Sequence, residues 1–260
     1  MRLKTLEECI AYAMDCEDTE ILPFLPYILQ DFFEIGSSAE SISKILKKYT
    51  RDYHKLKVLD LGCGKGAATL RIAEKLKCSC SGIDGIPEFI QHARSIAKER
   101  KLDRCNFTCA DIRDEIKRIG QFDVIILGSI GPLFGNYFET MKILKNNLTT
   151  CGLIILDDGY VADSKAFKHE YVVSRKELLN QIEQAGMKVV DEFLGEEISN
   201  TKEYKQQQEN IIKRCGELEK SHPDKEKLFK KFIQKQKMEY DNLEQEIICS
   251  TMVIRRKKTA

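Results

Sequence analysis

Two hydrophobic rhythms alternate along the chain, and the change from one to the other marks most of its elements. Val58-Leu59-Asp60-Leu61 follows the charged Lys57 as a short apolar run and gives way to glycines at alternate positions, Gly62, Gly64 and Gly66. That pattern predicts a buried strand ending in a tight turn. Leu70, Ile72, Ala73 and Leu76 then recur at roughly helical spacing, so a helix begins where the strand stops. The alternation repeats, with strands over 80–84, 106–112, 122–127, 153–156, 187–193 and 247–254 and helices from Pro87, over 137–147 and over 178–185. Pro87 suits a first helical turn, Ser174-x-x-Glu177 reads as a capping box, and Gly186 suits a helix end. Strands separated by helices predict an α/β fold with a largely parallel sheet. The almost unbroken apolar run 122–127 is what a strand covered on both faces requires.

Two stretches lie outside this alternation. In residues 1–50, Leu6, Cys9, Ile10, Ala13 and Met14 form a helical stripe, and Asp18-Thr19 opens a second segment. That segment, 21–33, is nearly all apolar or aromatic, with Pro23 and Pro26 near its start. Gly36 stops it, and Ser37-x-x-Glu40 reads as a capping box for a third helix carrying Ile42, Ile45, Leu46 and Tyr49. So apolar a preface must cover something, either a substrate, as a lid, or the edge of the sheet. Residues 196–245 read as a helical hairpin with two stripes: Tyr204, Ile211, Cys215 and Leu218, then Leu228, Phe229, Phe232, Ile233, Tyr240 and Leu243. Its seam packs either on the domain or on a second copy in a homodimer, and the sequence leaves both open. The expected organisation is a helical lid over 1–50, a core over 51–195 and 246–256, and the hairpin 196–245 inserted before the last strand.

Composition narrows the partners. The 260 residues contain 42 Lys plus Arg against 41 Asp plus Glu, so overall charge gives no mandate to bind nucleic acid or an anionic membrane. No apolar run reaches the length of a membrane span, and Met1-Arg2-Leu3-Lys4 leads into an acidic amphipathic stretch rather than a signal peptide. A cytoplasmic location is expected. The ten cysteines are expected to be reduced. Cys78 and Cys80 share one strand face, Cys105 and Cys109 lie near the next strand, and no CxxC occurs. Small buried strand residues are the reading preferred over a metal or redox cluster.

The chemistry is concentrated at the strand ends. Gly62-Cys63-Gly64-Lys65-Gly66-Ala67 fits a dinucleotide fingerprint in its Ala-ended form. Asp60, two residues before Gly62, argues otherwise, because a carboxylate there disfavours a pyrophosphate and favours an ammonium or a sulfonium. Asp84, 18 residues past Gly66, is placed to accept from ribose hydroxyls under either reading. In the pattern D-L-G-C-G-x-G the chain resembles the class I S-adenosylmethionine (SAM) methyltransferases, over residues 55–195 and 247–255. The resemblance implies a seven-stranded Rossmann-like sheet of order 3-2-1-4-5-7-6 with the last strand antiparallel. It also implies that the glycine loop packs on the methionine part of SAM, that Asp60 positions the ammonium, and that Asp111 accepts from the adenine amine. The cofactor contacts implied are Asp60, Gly62, Cys63, Gly64, Gly66, Asp84, Gly85, Ile86, Asp111, Ile112, Gly128 and Ser129, with S-adenosylhomocysteine as product.

The acceptor side is less determined. In the resembling family the loop after the fourth strand faces the methyl group. Here it reads Gly128-Ser129-Ile130-Gly131-Pro132, without the Asn-Pro-Pro-Tyr type signature that holds a planar amine, so DNA bases and glutamine side chains are not favoured. Asp157-Asp158 resembles the acidic pair of metal-dependent catechol-type enzymes, but Gly128-Ser129 stands where those enzymes place a further acid, and no metal is expected. If the acceptor needs a base, Asp158 or His169 supplies it and Tyr160 shapes the pocket; otherwise the two carboxylates merely cap the turn before Gly159. The expected function is methyl transfer to a small-molecule N, O or C acceptor, with no membrane or nucleic-acid partner. The alternatives are a protein or RNA methyltransferase and a non-catalytic SAM-binding scaffold.

Overall fold

The computed structural model describes residues 5–16, 18–164, 172–195 and 202–257. Its strands are β1 (Lys57–Leu61), β2 (Ser79–Asp84), β3 (Cys105–Cys109), β4 (Phe122–Gly128), β5 (Leu148–Val161), β6 (Met187–Leu194) and β7 (Ile247–Arg256). Its α-helices are α1 (Leu6–Ala13), α2 (Leu25–Ile28), α3 (Ala39–Tyr49), α4 (Ala67–Leu76), α5 (Pro87–Glu99), α6 (Ile112–Glu115), α7 (Tyr137–Leu144), α8 (Arg175–Gln184), α9 (Lys202–Ser221) and α10 (Glu226–Gln245). No described helix is long and apolar enough to cross a membrane.

The sheet order is β3-β2-β1-β4-β5-β7-β6, as the family resemblance implied. Neighbours from β3 to β5 run parallel, and β7 pairs antiparallel with β6. Val58, Leu59, Val124, Ile125, Ile126, Ile154 and Ile155 are all at most 1% exposed, because helices cover both faces. One face packs Leu59, Ile125 and Ile154 with Met141, Leu144 and Ile182; the other packs Val58, Val124 and Ile155 with Ile42, Leu46 and Ile72. Two compact units divide the chain, Glu34–Leu194 with Cys249–Ala260 and Met1–Phe33 with Gly195–Ile248. The boundary expected after residue 50 therefore falls after Phe33. Ile42, Ile45 and Leu46 of α3 belong to the sheet core, and Glu40 pairs with Arg71 and Lys75 of α4.

Three local expectations shift for identifiable reasons. The cap of α3 is Ser38, whose side chain accepts from the Ser41 amide, because Glu40 is drawn to the α4 cations and no longer closes a box with Ser37. The third strand stops at Cys109, and Asp111 instead caps α6 by accepting from the Arg113 amide at 2.9 Å. The apolar stretch 21–33 holds only a 3₁₀ turn (Thr19–Phe24) and the four-residue α2, since Pro23 and Pro26 each remove an amide donor.

Within the helical unit, the hairpin seam meets the N-terminal segment of the same chain. The Phe24 ring lies edge-on to Phe229 at 5.0 Å between centroids. The Arg214 guanidinium donates to Asp31 at 2.7 and 2.8 Å, and the Tyr27 hydroxyl donates to Glu217 at 2.8 Å. Cys215 and Phe229 are fully buried, while Ile212 and Met238 on the outer faces are about half exposed (51% each). The seam is covered within the chain by the N-terminal segment. The Phe229→Ala variant is expected to lose about 3–5 kcal/mol of stability in urea titration. Combined with Phe24→Ala, the loss falls short of the sum by about 0.5–1.5 kcal/mol, the coupling of the ring pair. Strict additivity would show that the rings do not pack.

Candidate functional site

The carboxyl ends of β1, β2, β4 and β5 share one rim, and the order reverses between β1 and β4, the position where open α/β sheets bind ligands. At this rim β1 passes into a loop closed by its own backbone: the Gly62 and Cys63 amides both donate to the Ile83 carbonyl, at 2.8 and 3.1 Å, and the Gly66 amide donates to the Cys63 carbonyl at 2.8 Å. Gly66 caps α4. Of the first two loop glycines, one is required outright and the other leaves room. Gly62 has φ +72° and a Cβ there would lie 2.5 Å from Ile130 Cγ2, whereas Gly64 has φ +52° with open space above it. The loop is thus roofed by Ile130 at one end and open at the other.

Asp84 organises the open end. Its Oδ2 accepts from the Gly64 amide and its Oδ1 from the Ile86 amide, both at 2.9 Å. Each oxygen keeps further acceptor capacity. Burial pushes this carboxyl upward, partly offset by those amides. Asp60 sits deeper, 4% exposed, and accepts from the Thr69 hydroxyl at 2.6 Å. Its pKa rises to about 6, first through desolvation and further through Asp84, against the Thr69 hydrogen bond. Asp60 therefore ties the strand end to the first turn of α4 from beneath the loop. Cys63 is buried below the same loop, and Ile86 and Ile112 are buried beside it, while Gly85 is half-buried. Asp111 is held differently from the expectation of a lone acceptor. The Arg113 guanidinium straddles it, with Nε at 3.0 and 3.1 Å and Nη2 at 2.5 Å, and holds its carboxyl below the usual range.

The ends of β4 and β5 are interlocked with the segment that follows Phe33. Gly128 has no room for a Cβ, which would sit 2.6 Å from Ser37 Oγ. Ser129 adopts φ +55°, donates its amide to the Asp157 carbonyl at 2.8 Å, and has its hydroxyl 3.3 Å from that of Ser37. On β5 the paired carboxylates diverge. Asp157 accepts from the Thr251 hydroxyl at 2.5 Å. Asp158 accepts from the Tyr137 hydroxyl at 2.7 Å and the Gly159 amide at 2.8 Å, and burial pushes it up to about 6. Tyr160 donates to Glu192 at 2.8 Å, where Arg175 (2.5 Å) and Ser250 (3.1 Å) also donate. His169 lies outside the described residues.

The sequence-named residues thus gather into two groups, Asp60, Gly62, Cys63, Gly64, Gly66, Asp84, Gly85 and Ile86 around the glycine loop, and Gly128, Ser129 and Asp158 at the ends of β4 and β5. Reasoning from sequence missed Ser37, Ile130, Tyr137 and Glu192. Tyr137 directly follows the cap Asn136, a position from which a side chain can reach the neighbouring strand end, but nothing local names Asp158 as its partner. Among the described residues no group of His, Cys, Asp and Glu side chains is arranged to hold a metal ion.

A sequence profile described as "Methyltransferase domain" matches residues 53–247. An uncharacterized RNA methyltransferase of Clostridium tetani is 31% identical over 144 residues, 50% of this chain and 31% of its own length. The 23S rRNA (uracil(1939)-C(5))-methyltransferase RlmD of Shewanella amazonensis is 33% identical over 92 residues, 34% of this chain and 20% of its own. The chain therefore spans less than a third of these curated relatives. Among solved structures, a SAM-dependent methyltransferase from Geobacter sulfurreducens in complex with S-adenosyl-L-homocysteine superposes with a TM-score of 0.72 at 15% identity, covering 90% of this chain and 98% of that one. With the profile covering most of its length and the sheet order expected of the fold, the chain belongs to the methyltransferase-domain family and has the class I SAM-dependent methyltransferase architecture.

Proposed function

We propose that the chain transfers a methyl group from SAM to a small-molecule N, O or C acceptor. The observation that carries the cofactor assignment is the cradle of Asp84 and Gly64: a carboxylate fixed by two backbone amides, with acceptor capacity left over, beside a glycine with open space above it. A ribose diol needs such an acceptor, and a methionine chain needs a backbone without a Cβ in its path, so the residues present fit the cofactor. Asp60 and Asp84 would hold it with Gly62, Gly64, Gly66, Gly85 and Ile86 around it; Cys63, Asp111, Ile112, Gly128 and Ser129 complete the proposed contact set. When bound, SAM supplies an already activated methyl group on a sulfonium. The protein's work is then to align the acceptor and exclude water.

The acceptor class is argued from charge and closure. Residues 119–141 and 148–164, which build the ends of β4 and β5 and the loops after them, contain no Lys or Arg. A polynucleotide is held chiefly through its phosphates by such cations. Ser37 meeting Ser129 narrows the rim, which suits a small acceptor. Asp158 is proposed as the group that takes a proton from the acceptor, with His169 as the other candidate and Tyr160 bracing the wall. A second reading, RNA methylation, is favoured by the named activities of the curated relatives.

Calorimetry with S-adenosylhomocysteine tests the cradle: binding is expected, and Asp84→Ala weakens it by about 1.5–3 kcal/mol, roughly ten- to hundredfold. Absence of binding to the wild-type chain would sink the assignment. Labelled SAM offered with a metabolite extract and, separately, with total RNA decides the acceptor; label is expected in the small-molecule fraction, and label in RNA alone would replace this reading by the second.

Asp158 gives a pH signature. Its carboxylate form prevails above about 6 and is lost below, so kcat/KM is expected to fall about tenfold per pH unit below that value. Asp158→Asn removes this acid limb and lowers turnover by about 10²–10⁴ while leaving cofactor affinity unchanged. Stability provides a second readout. Because folding raises this pKa from 3.8 to about 6, the native state holds the proton more tightly than the unfolded chain. The resulting contribution is full below 3.8 and is lost as pH rises through about 6. The Tm difference between wild type and Asp158→Asn should therefore change across that window, and a pH-independent difference would refute the raised pKa.

A further inference from the structure

At the opposite end of the sheet from the candidate site, three thiols meet. Cys78 precedes β2, Cys80 lies within it, and Cys105 opens β3 directly opposite Cys80 in the parallel register. The sulfurs of Cys78 and Cys80 are 3.5 Å apart, and Cys105 packs against the cluster that holds them. Their access to solvent differs. Cys78 and Cys80 are each 1% exposed, whereas Cys105 is half-buried on a strand that forms the edge of the sheet.

From this arrangement we propose that Cys105 and Cys80 form a reversible disulfide centre, with Cys105 meeting a peroxide-class oxidant and Cys80 resolving the product. In the first step the Cys105 sulfur attacks a peroxide oxygen; the S–O bond forms, the O–O bond breaks, and the departing oxygen leaves as water after protonation. In the second the Cys80 sulfur attacks the sulfenic sulfur of Cys105; the S–S bond forms, the S–O bond breaks, and the oxygen leaves as water with the thiol proton. Two thiols lose two electrons and one peroxide becomes two waters. A dithiol reductant reverses the change by exchange.

The surroundings favour this chemistry. Contact with Cys80 holds the Cys105 and Cys78 thiols below the ordinary value, which makes Cys105, the one with access to solvent, the better nucleophile. Cys80, buried between the two sulfurs, is pushed upward and remains a thiol until Cys105 is oxidised. Val58, Ile72, Leu76 and Leu102 surround the cluster, and a neutral disulfide suits such an apolar setting better than a thiolate. Cys78 can then exchange onto Cys80, moving the bridge inward and returning Cys105 as a thiol. The bridge forms two residues from Phe107, whose ring lies 2.9 Å from where a Gly66 Cβ would sit and 2.8 Å from that of Gly82.

Peptide mapping of the full chain tests this. Trypsin releases residues 78–94, with Cys78 and Cys80, and residues 105–113, with Cys105 and Cys109. After brief hydrogen peroxide treatment and alkylation of free thiols, we expect the two peptides joined with the loss of two hydrogens, or residues 78–94 closed internally after exchange. Dithiothreitol should restore three alkylatable thiols. The Cys109→Ser variant should keep the bridge, and Cys80→Ser should abolish both forms and leave Cys105 at higher oxidation states. Oxidation confined to Cys109 and the exposed Cys151, with Cys80 fully alkylated, would overturn the proposal. So would loss of the bridge in Cys109→Ser. The wild-type map alone decides between these results, even if Cys80→Ser does not fold.

Discussion

Keeping carboxylates out of water at the carboxyl ends of parallel strands is the constraint on which the rim depends. Asp60, Asp84 and Asp158 each carry a charge whose hydration has been largely removed, and their raised pKa values record that cost. Each is offset by donors in fixed places: the Thr69 hydroxyl for Asp60, the Gly64 and Ile86 amides for Asp84, the Tyr137 hydroxyl and Gly159 amide for Asp158. An unpaired buried charge costs several kcal/mol, so these donors cannot drift. The first turn of α4, the glycine loop, the start of α5 and the first residue of α7 are thereby tied to the sheet. The shape of the rim follows from satisfying three acids.

What was legible in the sequence is what short-range chemistry determines. The strand-to-glycine handover, the apolar strands and the acids at the ends of β1 and β2 follow from propensity and periodicity within a few residues, and the resemblance supplied the strand order. What was not legible depends on a distant partner. Ser37 and Ser38 are equally good caps locally, and the choice between them rests on Arg71 and Lys75 attracting Glu40. Asp111 looks like a free acceptor until Arg113 closes on it. The hairpin seam advertised a need for cover without saying that residues of the N-terminal segment provide it. Tyr160 looked like a pocket residue because it is two positions from Asp158, yet strand alternation is compatible with the contact it makes, to Glu192 on β6.

The two halves of the rim are built on different principles. Around the glycine loop the donors are mostly backbone amides, whose positions are set by the loop and tolerate change in side chains other than the glycines and acids. At the ends of β4 and β5 the contacts are side chain to side chain, Ser37 to Ser129, Tyr137 to Asp158 and Thr251 to Asp157. Such contacts can be replaced one at a time without disturbing the glycine loop. Ile130 links the halves, since it follows Ser129 in the chain and rests on Gly62.

Electrostatics then bears on the direction of the proposed chemistry. Asp84 adds to the cost of the Asp60 charge, as a like charge within one desolvated region does. A ligand carrying positive charge relieves both, whereas a pyrophosphate would add to the burden. Under the proposed function the sulfonium and ammonium of SAM meet this need, and product formation removes the sulfonium charge while leaving the ammonium. The carboxylates therefore favour the charged donor over its neutral-sulfur product, which assists exchange of product for fresh cofactor. Linkage makes the relation reciprocal: a bound cation lowers the pKa of Asp60, and protonation of Asp60 near pH 6 weakens the hold on the cation. The same burial that makes the acids expensive to fold thus makes them selective for a cation.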